Sequence, residues 1–145
     1  MQNSRESIYS ALFALVSTSS AFKTAGRKFK PWTEVPPESQ PSIFQVQTKE
    51  TPHNATGQPP AWKLEVELVM YVNSNSDIST PTSMTLNPII DAIEALFDPT
   101  KLPANTKQTL GGLVHYARIG GTIETDEGVL GNQAYCIIPI EIMTY

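Results

Sequence analysis

A chain of 145 residues with a formal net charge of −4 is long enough to bury one hydrophobic core and too short for two. Aliphatic and aromatic residues make up 40% of it and charged residues only 17%, below the usual quarter, so its surface is filled with Ser, Thr, Asn, Gln and Pro, a composition that suits broad contacts with other proteins. The negative balance gives no overall attraction to nucleic acid or to an anionic membrane, and no apolar run reaches the roughly 18 to 20 residues of a membrane-spanning helix.

Ser4 is placed to cap a helix with Arg5 and Glu6 in its first turn and Ile8, Leu12, Leu15 and Val16 at helical spacing. The stretch from Ile8 to Val16 has the apolar character of a signal peptide, but Glu6 follows Arg5 at once and no small-x-small site closes it, so it reads as a mature helix. Ser17, Thr18, Ser19 and Ser20 then compete for the backbone and end the pattern. Residues 31–42 hold Pro31, Pro36, Pro37 and Pro41, four of the twelve prolines, which predicts an ordered but irregular connection.

Ile43 to Glu50 alternates as a strand, with Phe44, Val46 and Thr48 on one side and Gln45 and Gln47 on the other. The clearest period-two run follows: Trp62, Leu64, Val66, Leu68, Met70 and Val72 alternate with Lys63, Glu65, Glu67, Val69 and Tyr71. The two runs predict an antiparallel hairpin whose tip, Thr51 to Ala61, is about 11 residues, longer than the usual two to five. Its prolines, Asn54 and Gly57 give it no apolar anchor, so it is expected to be mobile in a free subunit and ordered on docking. Asn54-Ala55-Thr56 matches a glycosylation sequon and reads as a polar loop.

After a polar link from Ser74 to Thr85, Asn87-Pro88 predicts the start of a second helix, with Ile89, Ile90, Ile93, Leu96 and Phe97 as its stripe and Asp98-Pro99 as its end. Leu113 to Ile119 and Thr122 to Thr125 read as one strand bent at Gly120-Gly121, Asp126 to Gly131 as a turn, and Ala134 to Thr144 as a last strand. Pro139 inside that strand predicts an edge position or a bulge. The sum is an α+β domain: an antiparallel sheet of about four strands, two helices packed on one face, and a long hairpin tip.

Reactive chemistry is sparse. His53 and His115 have no ligand partners at metal spacing. Cys136, the single cysteine, sits in an apolar strand and reads as a structural thiol, and Gly111-Gly112 and Gly120-Gly121 lack the context of a phosphate loop. Glu124, Asp126 and Glu127 cluster at a turn, where a solvated hairpin outweighs acid–base chemistry. The one charge anomaly is Lys23, Arg27, Lys28 and Lys30, four of the ten basic residues within eight positions, against four acids and no base from Ile119 to Tyr145. Three readings stand for it: plain surface; a positive patch that meets the negative patch of the next subunit in a head-to-tail oligomer; or phosphate contacts in a lumen, beside Phe22, Phe29 and Trp32.

Arg5-Glu6-Ser7-Ile8-Tyr9-Ser10-Ala11-Leu12-Phe13, Arg27-Lys28-Phe29-Lys30-Pro31-Trp32, Val35-Pro36-Pro37-Glu38 with Gln40-Pro41, Leu86-Asn87-Pro88-Ile89-Ile90-Asp91-Ala92-Ile93 and the run from Gly121 to Ile140 together resemble the small tail proteins of tailed bacteriophages. The likeness is greatest to the tail terminator, or tail completion protein, of long-tailed phages, and runs through almost the entire chain. It implies a structural virion protein of the neck, assembled in the bacterial host cytoplasm: a ring, usually a hexamer, that caps the tail tube protein, stops tube growth and offers a surface to the head connector. DNA would be passing cargo in the lumen, and no membrane, cofactor, metal or enzymatic activity is implied. The motifs are not catalytic. Combined with the charge pattern, this reading takes Lys23, Arg27, Lys28, Lys30, Trp32, His53, Asn54, Gly57, Glu124, Asp126 and Glu127 as the candidate assembly interface. Its alternative is another neck component, a head-tail adaptor or stopper; a small hydrolase would need a His, carboxylate and nucleophile cluster that the sequence does not display.

Overall fold

The computed structural model describes residues 1–19, 21–54, 56–74 and 79–145, the side chains of 128–130 excepted. Ser20, Ala55 of the sequon and tip, and part of the polar link at 74–85 lie outside the described residues. Ser4 caps the first helix, α1 (Arg5–Ser17), by accepting from the Ser7 amide at 3.2 Å. Ile8, Tyr9, Leu12 and Val16 form its buried stripe. At its end the Ser17 and Thr18 hydroxyls turn back onto the carbonyls of Ala14 and Leu15, the local competition that stops a helix.

The second helix, α2 (Ser83–Phe97), starts one turn before the Asn87-Pro88 pair. Leu86 is the cause: it is buried in the core, and burying it recruits the extra turn. Pro88 then removes only the bond that the carbonyl of Met84 would accept, on a side of the helix where Met84 is exposed.

The sheet has six strands where the hydrophobic pattern gives four: β1 (Thr24–Gly26), β2 (Ser42–His53), β3 (Ala61–Asn73), β4 (Tyr116–Ile119), β5 (Glu124–Leu130) and β6 (Gln133–Met143). The order is β1-β2-β3-β6-β4, with β5 also on β6. All pairs are antiparallel except the short β1–β2 pair. Three residues of β1 carry no periodicity, which is why it escapes a sequence reading. The β2–β3 ladder runs on to His53↔Ala61, so the connection is 54–60, shorter than the expected tip. The turn expected at 126–131 is instead strand as far as Leu130, with Gly131 at φ 68° in the reversal.

Pro139 is not at an edge. It lies on β6, between β3 and the β4–β5 side. β4 and β5 run end to end along β6, and Gly120, where β4 leaves the ladder, donates to the Pro139 carbonyl at 3.0 Å. The amide hydrogen that proline lacks would point at this break, so no ladder bond is lost beyond it. A Cβ on Gly120 would stand 2.5 Å from Cβ of Glu141, so only glycine brings the departing strand this close.

Leu64, Val66, Leu68, Met70 and Val72 of β3 join Ala134, Cys136, Ile138, Ile140 and Ile142 of β6 and the stripes of α1 and α2 in one core. Both helices thus cover the same face of the sheet. The other face carries a separate, smaller cluster of Val35, Phe44, Val69 and Tyr71, and this split divides β2: Ile43 joins the main core, while Phe44 faces away from it. Buried Gln45 points to the helices and donates to the Tyr9 carbonyl at 2.9 Å. The apolar side expected for β2 is therefore the side away from the main core.

Candidate assembly surface

The segment between β1 and β2 crosses the sheet face that the helices leave open. Pro31 and Pro36 hold extended backbone before two short 3-10 turns, Trp32–Glu34 and Pro37–Ser39, so the prolines shape an arm rather than a coil. Three contacts pin it. Val35 inserts into the smaller cluster; the Tyr71 hydroxyl donates to the Lys30 carbonyl at 2.9 Å; and buried Gln40 donates to the Val35 carbonyl at 3.0 Å and to Oε1 of Gln133 at 2.7 Å. Burial raises the Tyr71 hydroxyl pKa above its ordinary value.

Beneath the arm is a recess of about 350 Å³, walled by Phe29, Trp32, Val46, Val69, Tyr71, Tyr135 and Ile137, with Glu67 on one side. Phe29 is 49% exposed and Trp32 39%. Large aromatic rings left this open beside an apolar hollow are the sort of surface that a partner covers.

Charge is divided across it. Lys28 and Lys30 flank Phe29, and both are exposed. Across the sheet, Glu124 and Asp126 pair with Ile137 and Tyr135; directly opposed residues share a face, so these acids stand on the recess side. Glu67 is half-buried between its strand partners Val46 and Pro139 and forms no hydrogen bond or ion pair among the described residues.

The sequence candidates therefore separate. Lys28, Lys30, Trp32, Glu124 and Asp126 come together around the recess. Lys23 is exposed at the entry to β1, where its amide donates to the Pro41 carbonyl at 2.8 Å. Arg27 turns to α1, pairing with Glu6 at 2.5 Å and reaching Ser10 at 3.3 Å. The Arg27 contact, with a hydrogen bond from the Ser10 hydroxyl, lowers the Glu6 pKa, and the Glu6 contact raises that of Arg27. Glu127 accepts from the Ser83 amide at 2.8 Å, a carboxylate at the positive end of α2. His53 is the last residue of β2, and Asn54 and Gly57 (φ 79°) follow in the connection; seven residues of strand separate His53 from Val46, roughly 20 Å. The tip is a different locality from the recess.

Sequence reasoning missed Val46, Glu67, Val69, Tyr71, Tyr135 and Ile137 as a group. The signal was present: the side of β3 opposite the core carries Glu65 and Glu67 and then changes to Val69 and Tyr71, and that of β6 starts with Tyr135 and Ile137. Apolar residues on both faces of neighbouring strands mean a second covered surface.

The remaining reactive groups have structural surroundings. Cys136 is fully buried, and burial pushes its thiol pKa up to about 12. The exposed His115 ring packs edge-on to Tyr145 with centroids 5.5 Å apart. Tyr116 and Arg118 both reach Oε1 of Glu141 at 2.9 Å; burial pushes that carboxyl upward, but the two donors outweigh it and hold its pKa below the usual value. Among the described residues no three His, Cys, Asp or Glu side chains are grouped to hold a metal ion.

No protein-family model and no curated protein sequence matches the chain. A solved protein structure is similar over 98% of this chain and 97% of its own, with a TM-score of 0.52 at 16% sequence identity. At that identity the similarity concerns the fold alone.

Proposed function

We propose that this chain is a structural virion protein of the tail-terminator type, which assembles into a ring on the head-proximal end of a phage tail tube, stops its growth and joins it to the head connector. The observation that carries the reading is the recess: a sheet face with exposed aromatic rings between a basic arm and an acidic strand, on a domain whose other face is complete. Such a surface serves contact rather than turnover. Unpaired strand edges support it too. β1 covers only the first residues of β2, and no strand covers the outer side of β5 among the described residues; a closed ring manages such edges by letting neighbours cover them. The 54–60 connection and His53, far from the recess, are then free to meet the tube or the connector, and ring, tube protein and connector are its partners, with DNA only passing through. Among neck proteins, an adaptor or stopper would use the same kind of surface.

Tail tubes assembled without the protein are expected to overrun their normal length and fail to join heads, and adding it should cap them; tubes of normal length in its absence would contradict the reading. No step of this function uses Cys136, His53 or His115. A variant with Cys136→Ala, His53→Gln and His115→Gln is expected to keep tail joining while losing about 1–2 kcal/mol of stability, chiefly at the buried thiol. A folded triple variant that cannot join tails would overturn the non-enzymatic assignment.

A further inference from the structure

We infer that Phe29, framed by Lys28 and Lys30, is a knob that enters the acid-rimmed recess of a second copy of this chain, making a head-to-tail contact. The inference rests on the ring reading and adds the residues that make the contact. Phe29 is 49% exposed although it walls its own recess, and the two exposed lysines set it in a positive frame. The hollow has the opposite frame. Its apolar floor of Val69, Tyr71, Tyr135 and Ile137 is edged by Glu67 and, across β6, by Glu124. Glu67 is the sharper element, because a half-buried carboxylate with no partner among the described residues gains most from an incoming ammonium group. Within one copy the arm leaves β1 and crosses the sheet to β3, while β5 lies beyond β6. Lys30 lies over Tyr71 of β3, whereas Glu124 lies on β5, so the lysines and the acids edge the recess from different strands and the exposed part of one copy's Phe29 can meet the acid-edged side of the next copy's recess, a heterologous contact of the kind that closes into a ring.

The test is a charge swap followed by sedimentation, alone and with tail tubes, at low and high salt. Lys28→Glu/Lys30→Glu in one protein and Glu67→Lys/Glu124→Lys in another are each expected to weaken self-association about tenfold or more, most strongly at low ionic strength. Mixing the two, or combining all four changes in one chain, restores opposite charges at every contact and should recover association to within about threefold of wild type. Phe29→Ser, which removes an exposed ring and leaves the buried clusters intact, should weaken it at every salt concentration and guards against a charge variant that does not fold. Unchanged association in the charge variants and in Phe29→Ser, or no recovery on mixing folded partners, overturns the inference. The tail reading fails separately: rescued association by protein that never binds tube ends would refute that reading and leave the knob and hollow standing, whereas normal capping by all variants would do the reverse.

Discussion

Leu68→Ala is expected to lower the unfolding free energy by about 3–5 kcal/mol, whereas Val69→Ala, one residue further on, is expected to cost about 1–2 kcal/mol. Leu68 has no exposed surface and sits on the central strand, opposite Gln45 of β2 and Ile138 of β6. Its removal opens a cavity between the sheet and the helices that a closed core cannot collapse to fill. Val69 belongs to the four-residue cluster beneath the arm and lines the open recess, so water or an adjusting arm can take up the lost volume. Urea denaturation of the two variants measures the contrast. Equal costs would mean that the two faces are parts of one core, and that the recess is no softer than the rest of the molecule.

Gln40→Ala is expected to cost about 2–3 kcal/mol and to free the arm. The amide group of Gln40 bonds the Val35 carbonyl and Gln133; without it both acceptors stay buried or must reach water, and either outcome loosens the arm. Oε1 of Gln40 has no partner itself, so its removal offsets part of the loss and keeps the figure moderate. Limited trypsin digestion gives the local readout: cleavage after Arg27 and Lys28 should accelerate in the variant more than cleavage after Lys63, within the β3 ladder. Uniform acceleration at all sites would mean that Gln40 supports the whole domain and not the arm.

The parts of this fold that could be read from the sequence are those with a strong period. Ser4 with Ile8, Leu12 and Val16 gives α1, and the alternation from Trp62 to Val72 gives β3, because each pattern is dictated by one buried face. Gly120-Gly121, expected to bend a single strand, instead separates β4 from β5. The sheet was undercounted because β1 is only three residues long and because β4 and β5 read as one bent strand, the polar start of β5 (Glu124, Thr125, Asp126, Glu127) giving no apolar period to set it apart. Pro139 misled because a proline's missing donor was assigned to the edge of a sheet, whereas here it faces the departure of a neighbouring strand. For the candidate surface, Lys28, Lys30, Trp32, Glu124 and Asp126 could be named from charge and aromatic content alone. What sequence did not supply was their meeting place, since the recess is assembled from β2, β3, β6 and the arm, and since the local partners that divert Arg27 to Glu6 and Glu127 to Ser83 are 21 and 44 residues away.

The proposed ring on a tail tube has a direct readout in the mass of the protein by light scattering, alone and with purified tail tubes, together with negative-stain images of the tube ends. A closed ring of identical subunits at one end of each tube is the expected result. A protein that stays monomeric at high concentration and leaves tube ends bare would contradict it.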